Sequence, residues 1–381
     1  MRAQIILSFC FTLAYASSFA QGDTLSLKDM EIPTSPAFVL MDQAPTIISR
    51  PANPKAFAVS ILNSVEEANG IPKNYALEFT PFWFLKSKNM TALKYMGYNA
   101  AKGKQLPFSA MRMVSVSGAF VNTSGDSAAK NVSNIAIGAK TTLFRLRTAE
   151  DQKLILQAYK DILDSLKKIT KKLALDPNFI TASPSQRDSI ANSLLKNYKK
   201  DRQINIFEIL NRRPLLTVDG AIGYSRFFTD QQYSSGSTGR FGQWLVVGFT
   251  PRFMKDNKPV ENRYLNIYGF LRHLSDGTLA NDNAQRNVRY LDLGGKIELE
   301  FDKLILSFEA IARNKQNDDK NILTQTGNTS RSTGLIKYKI TNNFYVTGSF
   351  GKNFDSKNNL ISLFGVNWGI NSGGEKAPLE K

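Results

Sequence analysis

One pattern limits the folds open to this chain more than any other: short segments in which apolar and polar residues strictly alternate. Residues 75–85 set Leu77, Phe79 and Trp83 against Ala76, Glu78 and Thr80. The pattern returns in 110–121, 132–147, 215–226 and 241–253, then in 265–275 and 287–299, and finally in 304–313, 333–340, 343–351 and 360–368. Successive side chains of a strand point to opposite faces, so each arm carries one apolar and one polar face. There are eleven such arms, most of them near the roughly 9–11 residues that a tilted strand needs to cross a bilayer.

The remaining sequence says what the apolar faces meet. Met1-Arg2 is a short basic start, Ile5 to Tyr15 is largely apolar, and Ser18-Phe19-Ala20 has the small-x-small form of a cleavage site. Residues 1–20 therefore read as a secretory signal peptide. Cys10 lies inside it and is the chain's single cysteine, so the mature chain has neither disulfides nor thiolate metal sites. The formal charge of +17 becomes +16 without Arg2. In an exported chain this balance argues against nucleic acid and suits anionic lipid, polysaccharide or a partner protein, or simply a solvated basic surface.

Residues 21–73 form a leader holding six of the 14 prolines, which remove ladder donors and break helices. It is expected to be mostly irregular, with one helix over 56–67, and to lie in a barrel lumen or serve as a periplasmic tether. Residues 74–370 carry the arms, and 371–381 form a C-terminal tail. The arms are interrupted at 149–213. There Ile155, Tyr159, Ile162, Leu166, Ile169 and Leu173 recur at alternating spacings of four and three, a helical stripe. Ser183-Pro184-Ser185-Gln186 has the form of a helix start, and Ile190, Leu194 and Tyr198 continue it. The two stripes suit a helical hairpin. Its lysines (Lys167, Lys168, Lys171, Lys172, Lys196, Lys199 and Lys200) also suit a docking module.

Exported arms with small or charged residues on one face and aromatics near their ends resemble a bacterial outer-membrane β-barrel. The resemblance implies an all-β membrane fold, an antiparallel up-and-down transmembrane barrel of about 12 strands with a helical-hairpin insertion. A secreted β-sandwich is the competing fold. An even strand count needs one further strand, sought before Tyr75. Short turns of such barrels face the periplasm. The tight joins at 301–303 and 341–343 then place 228–240, 275–286 and 314–329 outside, and the insert inside. The location implied is the outer membrane of a Gram-negative-type bacterium.

Two sets of residues carry the chemistry. Lys140, Asp219, Arg272, Asp292, Lys296, Glu298, Glu309 and Lys337 fall on lumen-side positions. They suit either a selective pore or a paired network that fills a narrow one, and at about 12 strands the filled form is preferred. The other set lies on one face of the hairpin at 264–299. His273 and Ser275 are two residues apart, Gly277 follows, and Asn287 opens the returning arm, expected across from Ser275. An imidazole base beside a serine, with a third group to orient it, is the requirement for nucleophilic catalysis.

His273-Leu274-Ser275-Asp276-Gly277 with Asn287 resembles the His-x-Ser-Asn-Gly…Asn arrangement of outer-membrane phospholipase A, and its His-x-Ser part resembles lipid A deacylases. The resemblance implies His273 as base, Ser275 as nucleophile, Asn287 as the orienting group and Gly277 as room for an oxyanion-binding amide. Asp276 departs from the usual Asn and brings negative charge toward a developing oxyanion. The loop 278–286 has no clear match to that family's calcium-binding residues. One histidine and no mature cysteine leave no zinc or redox metal site, and no cofactor is implied. The expectation is an envelope scaffold or partner-binding barrel, or a narrow pore. Its partners would be outer-membrane lipid and a periplasmic protein or envelope polymer held by the basic insert. The alternative is a lipid acyl hydrolase built on the Ser/His/Asn set.

Overall fold

The computed structural model describes residues 25–26, 35–44, 46–48, 58–65, 72–81, 98–99, 104–105, 114–123, 132–183, 186, 189, 212–229, 232–234, 236–255, 258–279, 285–316, 328–341, 344–354, 360–369 and 376–377. Residues 1–20, read from sequence as a signal peptide, the second half of the helical insert and most of the C-terminal tail lie outside these residues.

The alternating arms form one continuous antiparallel sheet. Its barrel strands are β1 (Ala58–Val65), β2 (Pro72–Phe79), β3 (Ser115–Thr123), β4 (Val132–Leu146), β5 (Leu216–Thr229), β6 (Ser237–Phe249), β7 (Lys258–Leu279), β8 (Gln285–Phe301), β9 (Leu304–Lys315), β10 (Thr329–Thr341), β11 (Phe344–Lys352) and β12 (Leu360–Gly369). Each pairs with the next in the chain, and β12 pairs back onto β1, with Gly365 opposite Leu62 and Gly369 opposite Ala58. This is a closed twelve-stranded up-and-down barrel. Closure leaves no strand edge exposed. A short strand, Arg252–Lys255, folds back only on the start of β7.

The strand sought before Tyr75 is β1. It occupies the stretch expected to be a helix and belongs to the barrel, although it lies within the leader as delimited from sequence. Ala58, Ile61, Leu62 and Val65 recur at helical spacing, while Val59, Ile61 and Val65 share one face at a two-residue period. Pairing on both sides, to β12 and to β2, decides the outcome, and the β-branched Val59, Ile61 and Val65 accept it readily. The β8–β9 turn is two residues long, because Phe301 pairs directly with Leu304. Asp302 has φ 42° there, a left-handed conformation that an Asp side chain tolerates.

The insertion begins with α2 (Ala149–Leu175), a 27-residue helix. Thr148 caps it, its hydroxyl accepting from the Asp151 N–H. Within the expected stripe Ile155 and Leu173 are buried, whereas Lys167, Lys168 and Lys171 are exposed. A short helix, α3 (Pro177–Thr181), follows. Ser183 and Gln186 then form the capping box read from the sequence: the Ser183 N–H donates to Gln186 Oε1 at 3.0 Å. Ile190, Leu194, Tyr198, Lys196, Lys199 and Lys200 lie outside the described residues.

The barrel has its apolar belt on the outside. Ile137, Ile222, Leu271, Leu293, Ile297, Phe308, Ile336, Phe350 and Phe364 are exposed, and their inward neighbours are buried. The packed core therefore lies in the lumen, around the leader. Helix α1 (Pro36–Leu40), Met41, Ala44, Ile47 and Ile48 are buried there in one cluster with Trp244, Val246, Tyr268, Phe270, Leu274 and Tyr290. A trough in the wall receives α1. Gly138, Gly223 and Gly242 stand side by side on β4, β5 and β6. A Cβ at Gly138 would come within 2.8 Å of Pro36 Cβ, and one at Gly242 within 2.9 Å of a Leu40 methyl. Only glycine lets the helix lie this close.

Candidate functional site

All eight lumen charges expected from sequence are buried and inward-facing. Most of them meet a charged or hydrogen-bonding partner on a neighbouring strand or on the leader. Lys140 meets Glu78 at 3.2 Å, and Ser115 also donates to that carboxylate. Asp219 accepts from the Thr142 hydroxyl at 2.6 Å. Lys296 meets Glu298 at 3.0 Å, and the Asn266 amide donates to the same carboxylate at 3.2 Å. Lys337 is buried on β10 near the tight-turn end.

The remaining charges grip the leader. Arg272 and Arg313 share Asp292, at 2.7 and 2.9 Å. The same two arginines reach Asp42 of the leader at 2.7 and 3.2 Å, and Arg240 completes the set at 2.9 Å while also holding Asp276. Asp42 has φ 57°, so the turn after α1 aims its carboxylate at three guanidinium groups. Burial alone would raise its pKa, but Arg313, Arg272 and Arg240 together outweigh this and hold it well below the usual carboxylate range.

The leader's irregular backbone is satisfied by the same walls. Arg272 donates to the Val39 carbonyl at 2.8 Å, Arg331 to the carbonyls of Asp42 and Ala44 at 3.2 and 2.8 Å, and Lys296 to that of Ile48 at 3.1 Å. Glu309 accepts from the N–H groups of Ile47 and Ile48 at 3.0 and 2.7 Å. Non-repetitive backbone inside a barrel requires such partners. Sequence reasoning identified the wall charges but missed Asp42, Arg240, Arg313 and Arg331. The available signal was parity: Arg240, Arg313 and Arg331 fall on the inward faces of β6, β9 and β10.

The second set faces outward. His273 and Ser275 share the apolar face of β7 with the exposed Ile267 and Leu271. His273 lies between Gln243 of β6 and Leu291 of β8, and Ser275 between Phe241 and Arg289. An open groove of about 540 Å³ passes His273, lined by Leu143, Ile222, Gln243, Leu245, Leu271 and Leu291. The expected pairing of Asn287 with Ser275 does not occur. Asn287 stands opposite Gly277, two residues further on. Relative to the position across from His273, it is four residues along β8, roughly 14 Å at strand rise. The register thus brings His273 and Ser275 to one face but does not bring Asn287 to the imidazole. Gly277 remains within the paired strand. The buried Nδ1 of His273 has no hydrogen-bond partner among the described residues.

No known protein-family signature and no curated protein matches the sequence. Solved structures do resemble it. The LpxR structure from Salmonella typhimurium is 7% identical with a TM-score of 0.37, covering 82% of this chain and 99% of its own. The NanC porin is 8% identical with a TM-score of 0.33, covering 83% and 98%. The translocator domain of the autotransporter NalP from Neisseria meningitidis is 11% identical with a TM-score of 0.31, covering 84% and 90%. The closed barrel of the present chain stands on its own strand pairing, and no role is carried over from these proteins.

Proposed function

We propose that this chain is an outer-membrane barrel closed by its own leader, a membrane-embedded scaffold rather than an open diffusion pore. The observation that carries this reading is the leader segment 35–48 lying in the lumen with Asp42 held by Arg240, Arg272 and Arg313. The exposed apolar belt supports a lipid surround, since a soluble protein would leave that surface facing water. With the tight turns on the periplasmic side, the basic insert 149–213 faces the periplasm and serves as the docking element for a periplasmic protein or an envelope polymer. Planar-bilayer recording of the purified full chain tests the closed state. The expected result is no steady conductance, with channels appearing when residues 36–48 are deleted. A stable open channel from the intact chain would refute the reading.

The lipid acyl hydrolase is the second reading. It is supported by His273 and Ser275 sharing the lipid-side face beside an apolar groove. Among the described residues the imidazole Nδ1 has no hydrogen-bond partner to orient it, and so this reading ranks below the scaffold. Release of fatty acid from phospholipid or lipopolysaccharide by the purified protein, abolished in Ser275→Ala, would raise it above the scaffold.

A further inference from the structure

Three guanidinium groups of the lumen wall close around a single carboxylate that the wall does not own. Arg240 of β6, Arg272 of β7 and Arg313 of β9 belong to the barrel, and Asp42 to the leader. The wall supplies its own counter-charges as well. The Nε groups of Arg272 and Arg313 donate to the two oxygens of Asp292 at 2.8 and 2.9 Å, and Arg240 meets Asp276 at 2.9 Å. Three cations against these two wall carboxylates leave one positive charge, and it is directed at the place where Asp42 sits.

The same wall contacts hold the guanidinium forks in position. Asp292 engages the Nε side of Arg272 and Arg313, while their terminal nitrogens also reach the leader. Arg272 Nη2 donates to Asp42 Oδ1 at 2.7 Å, and Arg313 donates to both Asp42 oxygens at 3.2 to 3.3 Å. The Phe354 ring centroid lies 3.6 Å from the Arg313 guanidinium carbon and supports its plane. Forks oriented by groups other than the one they bind form a preorganised carboxylate seat. Asp42, in contrast, arrives on a segment outside the wall, at a turn with φ 57°. The seat is not sealed. Arg272 is fully buried, but the Arg240 side chain is 26% exposed and opens one side of the seat to solvent.

We propose that Arg240, Arg272 and Arg313 form a binding site for the carboxylate of a small molecule, that Asp42 fills it as an internal ligand, and that a free carboxylate taking the seat releases the leader. The release step rests on the closed-barrel reading; the binding site does not. Asp42 and an acetate ion present the same group to the arginines, one tethered and one free. The tether gives Asp42 a high effective concentration, so the closed state is the resting state and the free ligand acts by competition.

The test uses the full chain purified in detergent, at fixed pH and ionic strength. Asp42→Ala vacates the seat. Its urea midpoint should fall below that of wild type and rise saturably with sodium acetate. Acetamide, the neutral isostere, should not raise it, and acetate should lose its effect when Arg240→Gln is added. The second measurement follows the leader with Asp42 in place, by maleimide labelling of Ala44→Cys in a Cys10→Ala background. A ligand that binds only when Asp42 is out multiplies the released population by one plus its concentration over Kd. Acetate at ten times its half-saturating concentration for Asp42→Ala should therefore speed labelling about tenfold, and acetamide should not. A midpoint of Asp42→Ala indifferent to acetate overturns the binding site, and a labelling rate indifferent to acetate overturns the release. If Asp42→Ala does not fold, Asp42→Gly, which suits the positive φ better, takes its place under the same criteria. Steady conductance from the intact chain would refute closure yet leave the acetate response of Asp42→Ala standing, so the two readings fail separately.

Discussion

Replacing Asp42 by alanine tests whether the leader is locked in the barrel by charge. Asp42 is 7% exposed and meets three arginines. Removing one partner of a buried ionic set costs about 3–5 kcal/mol when the other charge is left alone. Here the arginines are not left alone, because Arg272 and Arg313 keep Asp292 and Arg240 keeps Asp276. The lower figure, about 3 kcal/mol, is therefore the appropriate one. It corresponds to a rise of about a hundredfold in the population with the leader released, at about 1.4 kcal/mol per decade. Ala44→Cys, in a Cys10→Ala background, reports that population, since Ala44 is buried beside Asp42. Maleimide labelling should be slow in this reporter chain and about a hundredfold faster once Asp42→Ala is added. Equal labelling rates would show that Asp42 does not hold the leader, and the charge-lock argument would fail.

The lock should also survive mild acid. A depressed carboxylate contributes stability that is fully present above its unfolded pKa of about 3.9 and is lost as pH falls through the folded value. Labelling of Ala44→Cys, divided at each pH by the rate of a fully exposed cysteine because maleimide reacts with the thiolate, should therefore be the same at pH 7 and pH 5, and a marked increase of this ratio by pH 5 would contradict the Asp42 assignment. Gly138→Ala should crowd Pro36 and the Ala37 N–H, at 2.8 and 3.2 Å, costing about 1–3 kcal/mol and speeding the same labelling. Gly118→Ala, whose nearest neighbour would be 4.0 Å away, should not. Leu293, 55% exposed near the middle of β8, reports the solvent around the barrel. Leu293→Arg should lower stability in lipid by about 2–4 kcal/mol, read from denaturant titration, whereas a water-facing wall would tolerate it.

The strands were legible because their signal is local. A two-residue period needs no knowledge of the partner strand, so the β7–β8 hairpin and the inward charges Arg272, Asp292, Lys296 and Glu298 could be placed from the sequence alone. Residues 58–65 were not legible in this way. Ala58, Ile61, Leu62 and Val65 satisfy a helical period and Val59, Ile61 and Val65 a strand period, and the state of the segment depends on β12, some three hundred residues away. The Asp42 lock was hidden for a similar reason, since its arginines lie 198 to 271 positions from it. Asn287 shows the limit of reading a face without a register. Parity alone does not say which residue stands across from it, and the observed register sets Asn287 opposite Gly277 rather than Ser275.

The seam between β12 and β1 imposes an order on assembly. It runs only from Gly365–Leu62 to Gly369–Ala58, whereas β7 and β8 pair from Arg263–Phe301 to Leu279–Gln285. The last strand must be delivered before the first can be joined to it, so closure is the most non-local step in the fold. The leader lies immediately before β1 in the chain and inside the finished cylinder in space. A leader that enters before the seam zips is afterwards enclosed by the walls that grip it. A short closing seam thus works as a latch: it is the last joint to form, and the first through which an enclosed segment could escape sideways.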